Sequence, residues 1–230
     1  MGKALILAAG LGTRLRPLTD HCPKALIEVE GATLLEHALI HLKSYGFNEV
    51  IINVHHFSGM IRDFLHNHHN FGLKISFSDE SGELLETGGG LKKAAWFFDD
   101  GSPFLVRNVD ILSDLNLTCL FQSHLDSGVL ATLVVKERPT SRYLLFDRDL
   151  RLSGWENQSS GEKKITRSCA EYQSFAFSGI QIISPSIFPL ITEQGRFSLI
   201  DLYLRLSARH AISGWVDNTS LWRDAGKLKR

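Results

Sequence analysis

Cysteine is scarce in this chain. Cys22, Cys119 and Cys169 are its only three in 230 residues, widely spaced, odd in number and without a C-x-x-C pair. Such a set makes neither a disulfide framework nor a cysteine zinc site, and reduced thiols in a cytoplasmic protein are the simplest expectation. No apolar run approaches the roughly 20 residues needed to cross a bilayer. The first residues read as a strand, not as a charged stretch leading into a signal-peptide core. An excess of one charge is also missing. Lys+Arg and Asp+Glu stand at 25 each, so no global field draws the chain to nucleic acid or an anionic membrane, and neither is expected as a partner. No internal repeat, low-complexity tract or linker interrupts the sequence. A single domain over residues 1–230 is expected, as a monomer or small homo-oligomer, and a chain of this length can bury a large core.

What is present is an alternation of apolar strands and helical stretches. Lys3–Ala8 reads as a strand, Leu34–Tyr45 has helical spacing with Gly46 at its stop, and Val50–Val54 reads as a buried strand. Helices near Met60–Leu65, Gly89–Phe98, Leu117–His124 and Leu199–Arg209 alternate with strands Leu73–Phe77, Phe104–Asn108, Val129–Val135 and Ser174–Ile183, and a short helix is expected over Pro185–Ile191. This order predicts a layered α/β fold with a largely parallel sheet, whose ligands bind beyond the carboxyl ends of the strands. Residues 136–167 differ in texture. Tyr143–Phe146 and Leu150–Trp155 flank a turn, and polar Asn157–Thr166 reads as a mobile loop, so a hairpin insertion walling one side of a pocket is expected. Trp96-Phe97-Phe98 reads as core packing, and the histidines at 55–56 and 66–69 as polar helix ends and loops, since they lack a zinc-site pattern.

The first strand breaks into Ala9-Gly10-Leu11-Gly12-Thr13-Arg14, with Pro23-Lys24 following. Glycines at 10 and 12 allow positive φ and close approach of N–H groups to an anion. Arg14 can fork onto phosphate oxygens, and Lys24 offers a compact point charge. No Gly-Lys-Ser/Thr closes a Walker loop, and Leu15 stands where a dinucleotide fingerprint needs glycine. The whole run from Leu7 to Thr19, with Pro23-Lys24-Ala25-Leu26-Ile27-Glu28-Val29, resembles the signature of the sugar-1-phosphate nucleotidyltransferases. That resemblance implies a three-layer Rossmann-like fold with a mostly parallel mixed sheet and the small hairpin on the sugar side. It implies nucleotide contacts from Ala8, Ala9, Gly10, Leu11, Gly12 and Thr13, with Arg14 and Lys24 as the catalytic cations.

Further along, an aspartate after a strand, as in Val106-Arg107-Asn108-Val109-Asp110, is by itself most often a cap or turn former. The resemblance implies instead that Asp110 holds Mg²⁺ and that Asn108 lies near the substrate, although Val109 replaces the usual glycine. Trp222-Arg223-Asp224-Ala225-Gly226 resembles the Trp-x-Asp-x-Gly element of the second metal ligand, so Asp224 is assigned to the metal and Asp217 to a turn. The chain stops four residues after Gly226, where relatives continue into a helix, so either a minimal or a shortened member is expected. In Glu86-Thr87-Gly88-Gly89-Gly90 the entropy cost of three glycines argues against packing alone. Close approach of a base to Thr87, Gly88 and Gly89 is expected, with Glu86 facing the nucleotide or sugar. Phe177-Ser178-Gly179-Ile180 matches the sugar-side strand, with Gly179 admitting the hexose. The family's Glu-Lys-Pro lysine is missing near Glu171-Tyr172-Gln173. Glu171 is assigned to sugar hydroxyls, and Arg196 or Arg142 to the sugar phosphate.

The implied reaction is attack of a sugar 1-phosphate on the α-phosphorus of a nucleoside triphosphate, UTP or GTP, with Mg²⁺ as cofactor and pyrophosphate as leaving group. The branch resembled most is the N-acetylmuramate-1-phosphate uridylyltransferases, with mannose- or heptose-1-phosphate guanylyltransferases as rivals. A catalytically silent homologue that binds nucleotide sugars stays open, as does, more distantly, an NAD(P)-dependent oxidoreductase.

Overall fold

The computed structural model describes residues 2–227. In chain order the elements are β1 (Lys3–Leu7), β2 (Glu28–Val29), β3 (Ala32–Thr33), α1 (Leu34–Ser44), β4 (Glu49–Val54), α2 (Ser58–Asn67), β5 (Lys74–Asp79), α3 (Glu86–Lys93), β6 (Phe104–Asn108) and β7 (Ile111–Ser113). Then follow α4 (Leu117–Ser127), β8 (Ala131–Lys136), β9 (Arg142–Phe146), β10 (Leu152–Asn157), β11 (Glu162–Ile165), β12 (Gln173–Ile183), α5 (Leu199–Ser207), β13 (Ile212–Val216) and β14 (Trp222–Asp224).

The described residues build a ten-stranded mixed sheet whose path runs β11-β10-β9-β12-β6-β1-β4-β5, with β8 and β13 joined through β12. Its β6-β1-β4-β5 block is parallel, β13 runs parallel to β8, and β12 is antiparallel to β6, β8 and β9. The parallel block explains the unbroken apolar runs, because both faces of its strands are covered. Ala4 and Ile6 of β1 pack with Leu35, Leu39 and Leu42 of α1 and Ile61 and Leu65 of α2. Leu5 and Leu7 point to the other face, with Leu91 of α3 and Leu202 and Tyr203 of α5. Helices on both faces of one sheet make the expected three-layer α/β architecture. Local signals start the helices: the Thr33 hydroxyl accepts from Glu36 N at 3.1 Å, and the Asn116 side chain accepts from Cys119 N at 3.0 Å.

Three expectations change. The polar stretch 157–166 is not a loop: Gly161 turns the chain at φ 74, and Glu162–Ile165 pairs antiparallel with β10, so the insertion is a three-stranded meander. All four residues of that strand are exposed, so no alternation marked it. The helix expected over 89–98 begins at Glu86, ends at Lys93 and tightens into a 3₁₀ turn over Ala95–Phe97. Phe97 and Phe98 are buried there, whereas Trp96 is 60% exposed and packs no core. Among the described residues no helix is long and apolar enough to cross a membrane.

Candidate active site

A cavity of about 400 Å³ opens at the carboxyl ends of β1, β4 and β6, lined by Ala9, Gly10, Arg14, Lys24, Asn53, Glu86, Thr87, Asn108, Asp110 and Ser198 among others. The glycine turn enters it in an unexpected way. Gly12 alone has positive φ, at 63°. A Cβ there would meet the Thr19 methyl at 2.8 Å and Lys24 Cβ at 3.1 Å, so Gly12 lets Lys24 cross close behind the turn. Gly10 is not left-handed and leaves the cavity floor open, with Lys24 Nζ 3.7 Å from where its Cβ would stand. The N–H groups of Ala8 and Ala9 are already used. Both donate to Asn53 Oδ1, at 2.6 and 3.2 Å. Ala8, Leu11 and Thr13 do not line the cavity, whereas Ala9 does.

Asn53 belongs to a network that motif reading missed. Its amide donates to the fully buried Glu80 carboxylate at 2.8 Å, and Glu80 Oε2 accepts from Leu85 N at 3.1 Å. One buried pair therefore ties the glycine turn to the loop before α3. A lone amide inside the apolar run Val50–Val54 was the available signal. The same network accounts for the glycines of α3. A Cβ on Gly90 would stand 2.8 Å from both Asn53 Nδ2 and Glu80 Oε1; one on Gly89 would reach the Gly195 carbonyl at 2.5 Å; one on Gly88 would overlap the Phe197 ring. All three are buried and none lines the cavity. The structure thus gives Gly88 and Gly89 a packing role, the role set aside on entropy grounds, because three chain segments meet α3 too closely for any side chain. Thr87 does line the cavity, and its hydroxyl accepts from Leu199 N at 2.9 Å, which helps cap α5.

Asp110 and Asp224 converge. Antiparallel pairing of β14 with β7 sets Asp224 opposite Ile111, and Ala225 N donates to the Asp110 carbonyl at 2.9 Å. A Cβ on Gly226 would stand 2.5 Å from Asp110 Oδ2 and 3.1 Å from Asp224 Oδ1, so the missing side chain makes room for both carboxylates. Two hard oxygen donors beside the glycine turn and the cations of Arg14 and Lys24 fit Mg²⁺, which uses one or two carboxylates plus substrate phosphates. Among the described residues there is no larger cluster of His, Cys, Asp or Glu able to hold a metal. Lys24 Nζ lies 2.8 Å from Asp110 Oδ2, with both side chains largely buried. Val109, where a glycine was expected, is fully buried in the core and faces away from the cavity. Asp217 is the turn former it was taken for, its Oδ1 accepting from Thr219 N and Ser220 N at 3.2 and 3.0 Å.

Behind Asp110, Arg107 is buried in β6, donating to the Ile111 carbonyl and, at 3.0 Å, to His41 Nδ1. His41 Nε2 donates to the Leu115 carbonyl at 2.9 Å, so the imidazole is neutral and accepts from the guanidinium. Burial, reinforced by the Arg107 charge, pushes His41 down to about 4, and burial lowers Arg107 to about 10 against the opposing pull of Asp110. Together they hold the turn that carries Asp110.

A second cavity, of about 500 Å³, adjoins the first at Glu86 and Ser198. The meander and α5 wall it with Tyr143, Trp155, Phe177 and Leu204, and Arg138, Arg142 and Lys164 bring cations to it. Glu86 stands at the junction in the left-handed region, φ 60°, an uncommon and costly conformation for a non-glycine residue. Arg196 holds it, donating from Nε at 2.8 Å. Arg196 itself lines neither cavity, and two further assigned residues are elsewhere. Glu171 is exposed and lines neither cavity. Gly179 also lines neither, and its absent Cβ (φ 77) makes room for Ile111 at 2.9 Å and the Asn108 amide at 3.0 Å, so it supports Asn108. Arg138, which the motifs did not single out, stacks its guanidinium 4.1 Å over the Trp222 ring and donates to the Phe177 carbonyl at 2.9 Å. Burial lowers its pKa, with the Asp224 charge opposing.

Comparison with known proteins agrees with this geometry. A model of the nucleotidyl transferase family matches residues 3–229. The N-acetylmuramate alpha-1-phosphate uridylyltransferase of Neisseria meningitidis serogroup B is 36% identical over 99% of this chain and 94% of its own length. The protein of the same name from Caulobacter vibrioides is 32% identical over 97% and 91%. Among solved structures, one described as a glucose-1-phosphate thymidylyltransferase from Bacillus anthracis superposes with a TM-score of 0.81 at 19% identity, covering 98% of this chain and 90% of that one.

Proposed function

Because the chain belongs to the nucleotidyl transferase family, we propose that it joins UTP to N-acetylmuramate 1-phosphate, releasing pyrophosphate and the UDP-sugar. One observation carries this reading: two cavities meet at Glu86 and Ser198 beside the Asp110–Asp224 pair, one holding Arg14 and Lys24 and the other three further cations. The uridylyl and muramate assignment draws on the two relatives aligned over more than nine-tenths of both lengths. Charge supports it as well. A neutral hexose phosphate brings one anionic group, whereas N-acetylmuramate adds a lactyl carboxylate, and Arg138, Arg142 and Lys164 are a cation set suited to two. Such precursor chemistry would take place in the cytoplasm, where Cys22, Cys119 and Cys169 stay free thiols.

In the reaction a non-bridging oxygen of the sugar phosphate forms a bond to the α-phosphorus. The α–β bridging P–O bond breaks, and its electron pair leaves with pyrophosphate. The nucleophile is already an anion, so neither a covalent enzyme intermediate nor a general base is needed, and the chain's task is positioning and charge neutralisation. Arg14 and Lys24, both lining the cavity, meet the triphosphate and stabilise the departing charge. Gly10, which lines the cavity, leaves room for the phosphates, and the Asn53–Glu80 pair ties the Ala8–Ala9 backbone to Leu85 just before Glu86. Asp110 and Asp224 would hold Mg²⁺, which when bound neutralises and aligns the phosphates.

Pyrophosphate release with Mg²⁺ over a panel of nucleoside triphosphates and sugar 1-phosphates tests the proposal. UTP with N-acetylmuramate 1-phosphate is expected to give the highest kcat/KM. A preference for GTP with mannose or heptose 1-phosphate would move the substrate assignment to the guanylyltransferases. Nucleotide-sugar binding without turnover of any pair would mark a silent homologue.

A further inference from the structure

We infer that Arg138 is the side chain that grips the 1-phosphate of the sugar and directs it at the metal-side carboxylates, the task left open by the missing Glu-Lys-Pro lysine. The inference rests on the proposed nucleotidyl transfer, because the reaction determines where such a cation must stand. The attacking oxygen belongs to the sugar's own phosphate. That phosphate must therefore reach from the sugar-side cavity to the Asp110–Asp224 pair, and its cation must serve both places at once.

Three cations line the second cavity, and Arg196 lies beside it on Glu86; of these four, three are poorly suited. Arg196 is exposed and committed to Glu86, at 2.7 and 2.8 Å. Lys164 is half exposed and sits between Glu162 and Asp201, at 3.5 and 3.7 Å. Arg142 lies exposed at the start of β9. Arg138 lines the cavity and rests on the ring of Trp222, two residues from Asp224 on β14, so it stands between the cavity and the second carboxylate. Its orientation is imposed by neighbours. The guanidinium lies 4.1 Å over the Trp222 ring, whose Nε1 is held by the Ser178 carbonyl at 2.9 Å, and its NH2 group donates to the Phe177 carbonyl at 2.9 Å. Trp222 and Asp224 lie on the same short strand, so one element fixes both the arginine's plane and the second carboxylate. The Arg138 Nε is buried without a hydrogen-bond partner. A buried donor left unmet costs stability, and a guanidinium kept at that cost beside a reaction centre serves more than packing. A planar fork also matches phosphate better than a lysine would.

The test uses the full chain with UTP, Mg²⁺ and N-acetylmuramate 1-phosphate. Arg138→Gln should raise the KM for the sugar phosphate about tenfold or more, the scale of one lost charge-assisted hydrogen bond, while UTP affinity by calorimetry stays within about twofold. A merely structural arginine would instead lower the melting temperature and shift both substrates together. A sugar-phosphate KM in Arg138→Gln unchanged from the parent overturns the inference. If Arg138→Gln does not fold, Arg138→Lys decides, since it keeps the stem over Trp222 and the charge but loses the fork. A higher sugar-phosphate KM with unchanged UTP affinity supports the role, and an unchanged one refutes it. Absence of turnover in the parent chain with every substrate pair would overturn the nucleotidyl transfer reading itself, and the role of Arg138 with it.

Discussion

The two cavities that share Glu86 and Ser198 are built on different principles. The first cavity, the nucleotide side in the proposed reaction, takes most of its chemistry from one short stretch: Ala9, Gly10, Arg14 and Lys24 follow a single strand, and Asp110 follows a neighbouring one. The sugar side is assembled from Arg138, Trp155, Phe177 and Leu204, which meet only because the meander, β12 and α5 fold together. The first set of groups can be read from a local motif, whereas the second comes together only through tertiary contacts.

The comparison is broken most severely at Arg14. Replacing it with alanine should lower kcat/KM about 10²- to 10³-fold, the scale of a lost preorganised donor, with no change in melting temperature, because its side chain is exposed. Near-full activity would remove it from the catalytic set. The acid limb of stability comes next. His41 and His124 are both held down to about 4, chiefly by burial, against an ordinary 6.5. Between those values the unfolded chain binds protons that the folded chain refuses, so this stability is full above pH 6.5 and is lost as pH falls toward 4. Urea midpoints at pH 7 and pH 5 should differ, and less so in His41→Gln. An equal drop in that variant would deny His41 its place under Arg107.

Gly88→Ala separates packing from base recognition. Its new methyl group would overlap the Phe197 ring, so a loss of about 1–3 kcal/mol is expected, read as a fall in melting temperature that precedes any loss of UTP affinity. Weaker UTP binding at full stability would restore the base-contact reading. The smallest effect is expected at Arg142, where glutamine should weaken sugar-phosphate affinity only a few-fold, because an exposed charge contributes about 1 kcal/mol or less. An effect as large as that of Arg138→Gln would shift the phosphate site outward along β9.

Legibility in the sequence follows the same division. The alternation of β1, α1 and β4 carried the layered fold and the run from Leu7 to Lys24 carried the family, because periodicity and turn chemistry are local. The short motif that singled out Asp224 also contains Gly226, whose missing side chain leaves room for Asp224 beside Asp110. The packing reason for the α3 glycines, the backbone of Gly195 and the Glu80–Asn53 pair, could not be seen in the sequence because it lies elsewhere in the chain. Likewise Arg138 looks like a loop cation until Trp222 arrives beneath it. The strand Glu162–Ile165 shows no apolar alternation, since it is exposed and pairs with β10 through backbone bonds and polar side-chain contacts such as Lys163–Glu156.

The central claim, that a nucleotidyl group passes from one cavity to the other, is tested most directly with UTP labelled at the α-phosphorus. With N-acetylmuramate 1-phosphate and Mg²⁺, the label should be recovered in the UDP-sugar, with unlabelled pyrophosphate released in equal amount. Label recovered as free UMP, or remaining in UTP with every sugar 1-phosphate supplied, would contradict the account.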